Sequence, residues 1–135
     1  MASPSVNGCA RLPRAEEHAW FGVDDVGGCV VVSAVGEVDL ATSPGFSDAV
    51  KVAVECAPRT IVDLSGVSFV DASCLQVLVQ ARNRMHDRRG VIALVAPAGL
   101  PRRILEVSGL DQAFATFDVL EEAVAALAQT DTDGQ

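Results

Sequence analysis

The chain has no tyrosine, a single tryptophan and only one lysine, Lys51, in 135 residues. With aromatic residues at 4%, the stacking platforms used to grip single-stranded nucleic acid are nearly absent. Eighteen Asp+Glu against ten Lys+Arg leave a formal charge of −8, the wrong sign for a phosphate backbone. No direct nucleic-acid contact is expected. Long apolar runs are missing too: the longest uncharged stretch, Gly90 to Pro101, has 12 residues, well short of the ~20 that cross a bilayer. Met1 to Pro13 lacks a cationic start followed by an apolar block, so it does not read as a secretory leader. A cytoplasmic protein with no membrane association is expected.

Cys9, Cys29, Cys56 and Cys74 form no C-x-x-C pair, and His18 and His86 stand apart. Neither a metal site nor a disulfide framework is suggested, and four small, reduced hydrophobes are the expectation. Neither G-x-x-x-x-G-K-[ST] nor G-x-G-x-x-G occurs, so a nucleotide-cradling loop has no support and no cofactor is expected. A serine nucleophile would need a nearby base, but His86 lies thirteen residues beyond Ser73, about 20 Å along one helix. A phosphoacceptor receiver, suggested by Asp39, Asp63 and Asp71, would need adjacent acidic residues after the first strand and a lysine late in the chain. Lys51 lies too early for that role. An enzyme is not expected.

What remains is a chain that is half hydrophobic with mean hydropathy +0.32, enough apolar surface for one well-packed domain. Residues 1–17 read as a flexible extension, 18–129 as the domain and 130–135 as a disordered tail. Two short β-branched runs, Ala19–Val23 and Cys29–Val35, flank a turn containing Gly27-Gly28 and predict a hairpin. Gly36-Glu37-Val38-Asp39 reads as a polar loop. Ser43 then N-caps a helix with Pro44 in its first turn, and Pro58 ends it. Thr60–Leu64 is a buried strand, and Ser65 to Ser73 reads as a loop. A helix follows, with Leu75, Leu78, Val79, Arg82 and Met85 on one face and Gly90 as its C-cap. Strands at Val91–Ala96 and Ala113–Phe117 alternate with helices at Leu100–Ser108 and after a capping box, Asp118 with Glu121. The order ββαβαβαβα implies an α/β sandwich of a mainly parallel sheet, an antiparallel edge strand and about four helices.

Open α/β sheets place functional groups at the carboxyl ends of strands, which selects the loops holding Asp39 and Asp71–Ser73. Ser73 sits in the first turn of a strongly periodic helix, where unsatisfied N–H groups and the helix dipole tolerate a phosphate. Simple capping by Asp71 or Ser73 is the more ordinary use of these residue types. Residue types leave both open.

The sequence resembles the STAS domain family and, within it, bacterial anti-sigma factor antagonists. Gly36-Glu37-Val38-Asp39 is similar to the family's G-E-L-D loop, and Val62 to Leu75 to its signature around D-S-S-G. Pro101 to Leu110 resembles its third helix, and Phe117 with Glu121-Glu122-Ala123 the entry into the last. The resemblance covers roughly Val23 to Ala128. It implies a phosphoacceptor at Ser73 and a partner surface of Asp39, Asp71, Ala72, Ser73, Cys74 and Gln76. The implied partner is an anti-sigma factor with serine kinase activity, bound by a monomer or weak dimer and released by phosphorylation. Ala72 and Cys74 depart from the signature, replacing its first serine and its glycine. A STAS module serving as an unmodified scaffold in a signalling assembly is the alternative, and a small-molecule sensor fits less well without a glycine-rich loop.

Overall fold

The computed structural model of the chain describes residues 14–15 and 19–129; most of the expected extension, and the tail, lie outside the described residues. The elements are β1 (Arg14–Ala15), β2 (Ala19–Val26), β3 (Cys29–Val38), α1 (Ser43–Cys56), β4 (Arg59–Val70), α2 (Ala72–Asp87), β5 (Val91–Val95), α3 (Leu100–Ser108), α4 (Leu110–Ala113), β6 (Ala115–Phe117) and α5 (Leu120–Gln129). They build one six-stranded sheet in sequential order. β1 pairs with β2 and β2 with β3 antiparallel, while β3 to β6 run parallel. The predicted α/β class and antiparallel edge are present, with the single turn α4 as a fifth helix.

Alternation along the strands sorts the core into two layers. Val30, Val32, Val62, Leu64, Ile92 and Leu94 face α1, α2 and α3 and pack with Phe46, Val50, Leu78 and Leu105. Val31, Ile61, Ala93 and Val95 point the other way, onto Ala123 and Leu127 of α5. Phe21 and Phe46, with ring centroids 5.7 Å apart, anchor the first layer. The hairpin closes over two residues, Gly27 and Gly28, both with positive φ, the geometry that matches strand twist.

Two expected loops are strand instead. Gly36–Val38 continues β3 and Ser65–Val70 continues β4, paired through Val35–Gly66, Gly36–Val67, Glu37–Phe69 and Val38–Val70 with two register shifts. The shifts absorb the irregular polar pattern while keeping Val38, Val67 and Val70 buried. The buried stripe of α2 is Cys74, Leu78, Ala81 and Met85, rotated from the expected one, so Val79 and Arg82 are exposed. Cys56 is disulfide-bonded, contrary to the expectation of four reduced thiols. Cys29 and Cys74 are free and buried.

Candidate functional site

The site forms where β3 and β4 end side by side. The backbone N–H of Asp71 donates to Val38 O at 3.1 Å, extending the parallel pairing to the last residue before α2. From there the chain splits into two turns, Asp39–Thr42 leading to α1 and Asp71 leading directly into α2.

Asp39 and Thr42 lock the first turn. Asp39 Oδ1 accepts the backbone N–H groups of Ala41 at 3.0 Å and Thr42 at 3.2 Å. The Thr42 hydroxyl, nearly inaccessible, donates to Glu37 O at 2.8 Å and accepts the Asp39 N–H at 2.9 Å. Thr42 rather than Ser43 is the N-cap of α1, and its side chain makes no cap hydrogen bond, because the hydroxyl is committed to the loop. Asp39 is thus a loop-forming residue more than a free surface charge. At the tip of this turn Leu40 is 77% exposed.

Asp71 locks the second turn and joins it to the first. As N-cap of α2 it accepts the Ser73 N–H on Oδ1 at 2.9 Å, and the Ser73 hydroxyl donates to the same oxygen at 2.5 Å. Its Oδ2 accepts the N–H of Leu40 at 3.1 Å. Burial works to raise the Asp71 pKa. The hydrogen bonds from the Ser73 hydroxyl and N–H, the Cys74 N–H and the Leu40 N–H outweigh it and hold the carboxyl below its ordinary value. The carboxylate is therefore ionised at neutral pH and accepts the hydrogen bond that the Ser73 hydroxyl donates.

The structure brings Asp39, Asp71 and Ser73 together around Leu40. Ser73 is half-buried, while Ala72 and Gln76 are exposed on the outer side of α2. Cys74, placed on the partner surface by the resemblance, instead has its side chain fully buried in the layer with Leu78. It sits one helical turn before Leu78 on the core face, so its bulk is directed away from the Ser73 hydroxyl. Burial and, secondarily, the Asp71 charge push its thiol pKa up to about 12, which keeps it neutral and unreactive. Sequence reasoning missed Leu40 and Thr42. An apolar residue inside an otherwise polar loop was the available signal for Leu40.

Over residues 21–122 the chain matches the family described as Mlab, STAS domain. It belongs to the STAS domain family. A STAS relative, the anti-sigma-F factor antagonist RsfB of Mycobacterium tuberculosis, is 31% identical over 103 residues, covering 76% of this chain and 84% of that protein. The crystal structure of an anti-sigma factor antagonist from Mycobacterium paratuberculosis superposes with TM-score 0.77 at 30% identity, covering 84% of this chain and 97% of that one. An anti-sigma-factor antagonist (STAS) domain protein from Planctomyces limnophilus has the same fold, with TM-score 0.72 at 24% identity, covering 80% and 97%. Among the described residues, no helix of this STAS domain is long and apolar enough to cross a membrane.

Proposed function

We propose that this STAS domain is an anti-sigma factor antagonist whose partner is an anti-sigma factor with serine kinase activity. The unmodified chain binds that partner in the cytoplasm and frees a sigma factor, and phosphorylation of Ser73 ends the complex. The observation that carries this reading is the half-exposed Ser73 hydroxyl, hydrogen-bonded to an ionised Asp71 that also holds the Leu40 turn. Leu40, Ala72, Ser73 and Gln76 supply the contact surface. Asp39 and Asp71 shape it from behind, and Cys74 supports α2 from the core. The 31% identity to an antagonist from Mycobacterium tuberculosis supports the assignment.

The chemistry of the switch follows from the same bonds. Esterified Ser73 Oγ has no proton to give Asp71, and a phosphate of roughly −1.5 to −2 charge is set against that carboxylate. Both changes disfavour the unmodified loop arrangement. In a chain already at −8, local placement rather than net charge does the switching. The test is the affinity of the cognate anti-sigma factor for Ser73→Ala and Ser73→Asp. The alanine variant keeps binding in the presence of ATP, and the aspartate variant binds at least ~10-fold more weakly, about 1.4 kcal/mol; equal affinities sink the mechanism. Intact mass after kinase and ATP gains one phosphate, mapped to Ser73. No gain would favour the unmodified scaffold.

A further inference from the structure

The face of the sheet that carries α5 is only half covered. α5 lies over the layer of Cys29, Val31, Ile61, Ala93 and Val95. Nearer the ends of β3 and β4, the same face presents Trp20, Val35 and Phe69, which are 43%, 48% and 40% exposed. They form a row across three strands: Trp20 pairs with Val35, Val35 with Gly66, and Phe69 follows on β4 opposite Glu37. The Trp20 ring lies along its own strand, because a side-chain carbon at Gly22 would stand 2.5 Å from Trp20 Cη2. A Cβ at Gly66 would likewise crowd Val35 Cγ2 at 3.0 Å. Glycines at both positions let the Trp20 and Val35 side chains lie low over the sheet.

Exposed large apolar side chains gathered in one row mark an interaction surface. Its charge surroundings select the occupant. Glu37, opposite Phe69, and Asp63, opposite Ser33, are the charges of β2, β3 and β4 nearest the row, while Asp24, Asp25 and Arg59 lie together at the other end of these strands. A second copy apposed face to face would set these carboxylates against each other. Two strand spacings, about 10 Å, separate β2 from β4, the width of one helix, and α5 already occupies the neighbouring half of this face.

We propose that the Trp20–Val35–Phe69 row is a docking surface for an amphipathic helix of a partner protein, with an apolar stripe flanked by arginine or lysine. It lies on the sheet face opposite α2 and is independent of the assignment of Ser73. The test uses the full chain, titrated with a synthetic helix of about five turns bearing a leucine stripe between arginines, and with a scrambled peptide of the same composition. The leucine-stripe peptide shifts Trp20 emission to the blue and moves the Val35 and Phe69 amide resonances. Val35→Ser and Phe69→Ser each weaken it about 10-fold, while Ser73→Asp leaves it unchanged. Equal binding of the scrambled peptide, or resonance changes centred away from the row, overturns the proposal. So does a dimer in sedimentation that Val35→Ser dissolves, or nuclear Overhauser contacts from residues 1–13 or 130–135 to the Trp20 ring.

Discussion

Leu40 and Asp71 are 31 residues apart in sequence, yet the backbone N–H of Leu40 donates to Asp71 Oδ2 at 3.1 Å. The other oxygen of that carboxylate takes both hydrogen bonds from Ser73. One carboxylate therefore ties the first turn of α2 to the tip of the Asp39–Thr42 loop.

Asp71→Ala removes the N-cap and the clasp together. Loss of a cap costs about 1 kcal/mol, and the Leu40 amide, no longer held, exchanges with solvent faster. Hydrogen exchange followed by mass spectrometry on a peptide covering residues 38–45 checks this. Unchanged exchange at Leu40 would mean that the Asp39–Thr42 bonds alone hold the turn.

The clasp also has a pH dependence of defined sign. Asp71 has a folded pKa below its ordinary 3.8, so its contribution to stability is present above that unfolded value and is lost as pH falls through the lower folded value. The Leu40 and Ser73 amide resonances of the wild type are expected to hold steady through mild acid and to move together only below pH 3.8. In Asp71→Asn the step is absent. A midpoint above 3.8 would contradict the hydrogen-bonded, ionised state.

Cys74 stands where the family signature has glycine, and its neutral, fully buried thiol leads to two expectations. In the native protein N-ethylmaleimide at neutral pH leaves Cys74 unmodified, whereas urea-unfolded chain is labelled there. Cys74→Gly removes a core side chain and adds backbone freedom inside a helix, destabilising by about 1–2 kcal/mol. Rapid native labelling would show that the first turn of α2 opens readily.

The parallel sheet and the helix order were legible because apolar runs of period two and stripes near period 3.6 differ clearly in this Ala/Val-rich chain. Strand lengths were not. Ser65-Gly66-Val67-Ser68 is made of turn-forming residues, and only pairing with the equally irregular end of β3, through shifted register, makes it strand. At the site, the chemical types of Asp39, Asp71 and Ser73 pointed to one end of the sheet. That Asp39 spends its carboxylate on Ala41 and Thr42, and that Cys74 faces inward, are consequences of rotation about α2 and of loop closure, which local spacing does not encode. The stripe of α2 was misjudged for a related reason: Val79 is apolar but exposed, and one such residue rotates the apparent face.

The end of α2 departs from the expected Gly90 cap. Gly90 N–H donates to Met85 O at 2.7 Å and Arg89 N–H to His86 O at 3.1 Å, the bond pair of a Schellman ending with Arg89, not Gly90, in the left-handed position. Arg89 has φ 58°, a conformation that disfavours a residue with a Cβ by about 1 kcal/mol. Gly90 is held for another reason: a Cβ there would stand 2.9 Å from Pro58 O and 3.0 Å from Met85 Sδ. Arg89→Gly is therefore expected to stabilise the chain by about 0.5 kcal/mol, the relief of strain exceeding the entropy that glycine adds to the unfolded state. Gly90→Ala, by contrast, should destabilise by about 1–3 kcal/mol through overpacking against the backbone. Thermal unfolding of the two variants beside the wild type decides between this arrangement and a Gly90 cap, which would reverse the order of the first substitution by making Arg89→Gly destabilising.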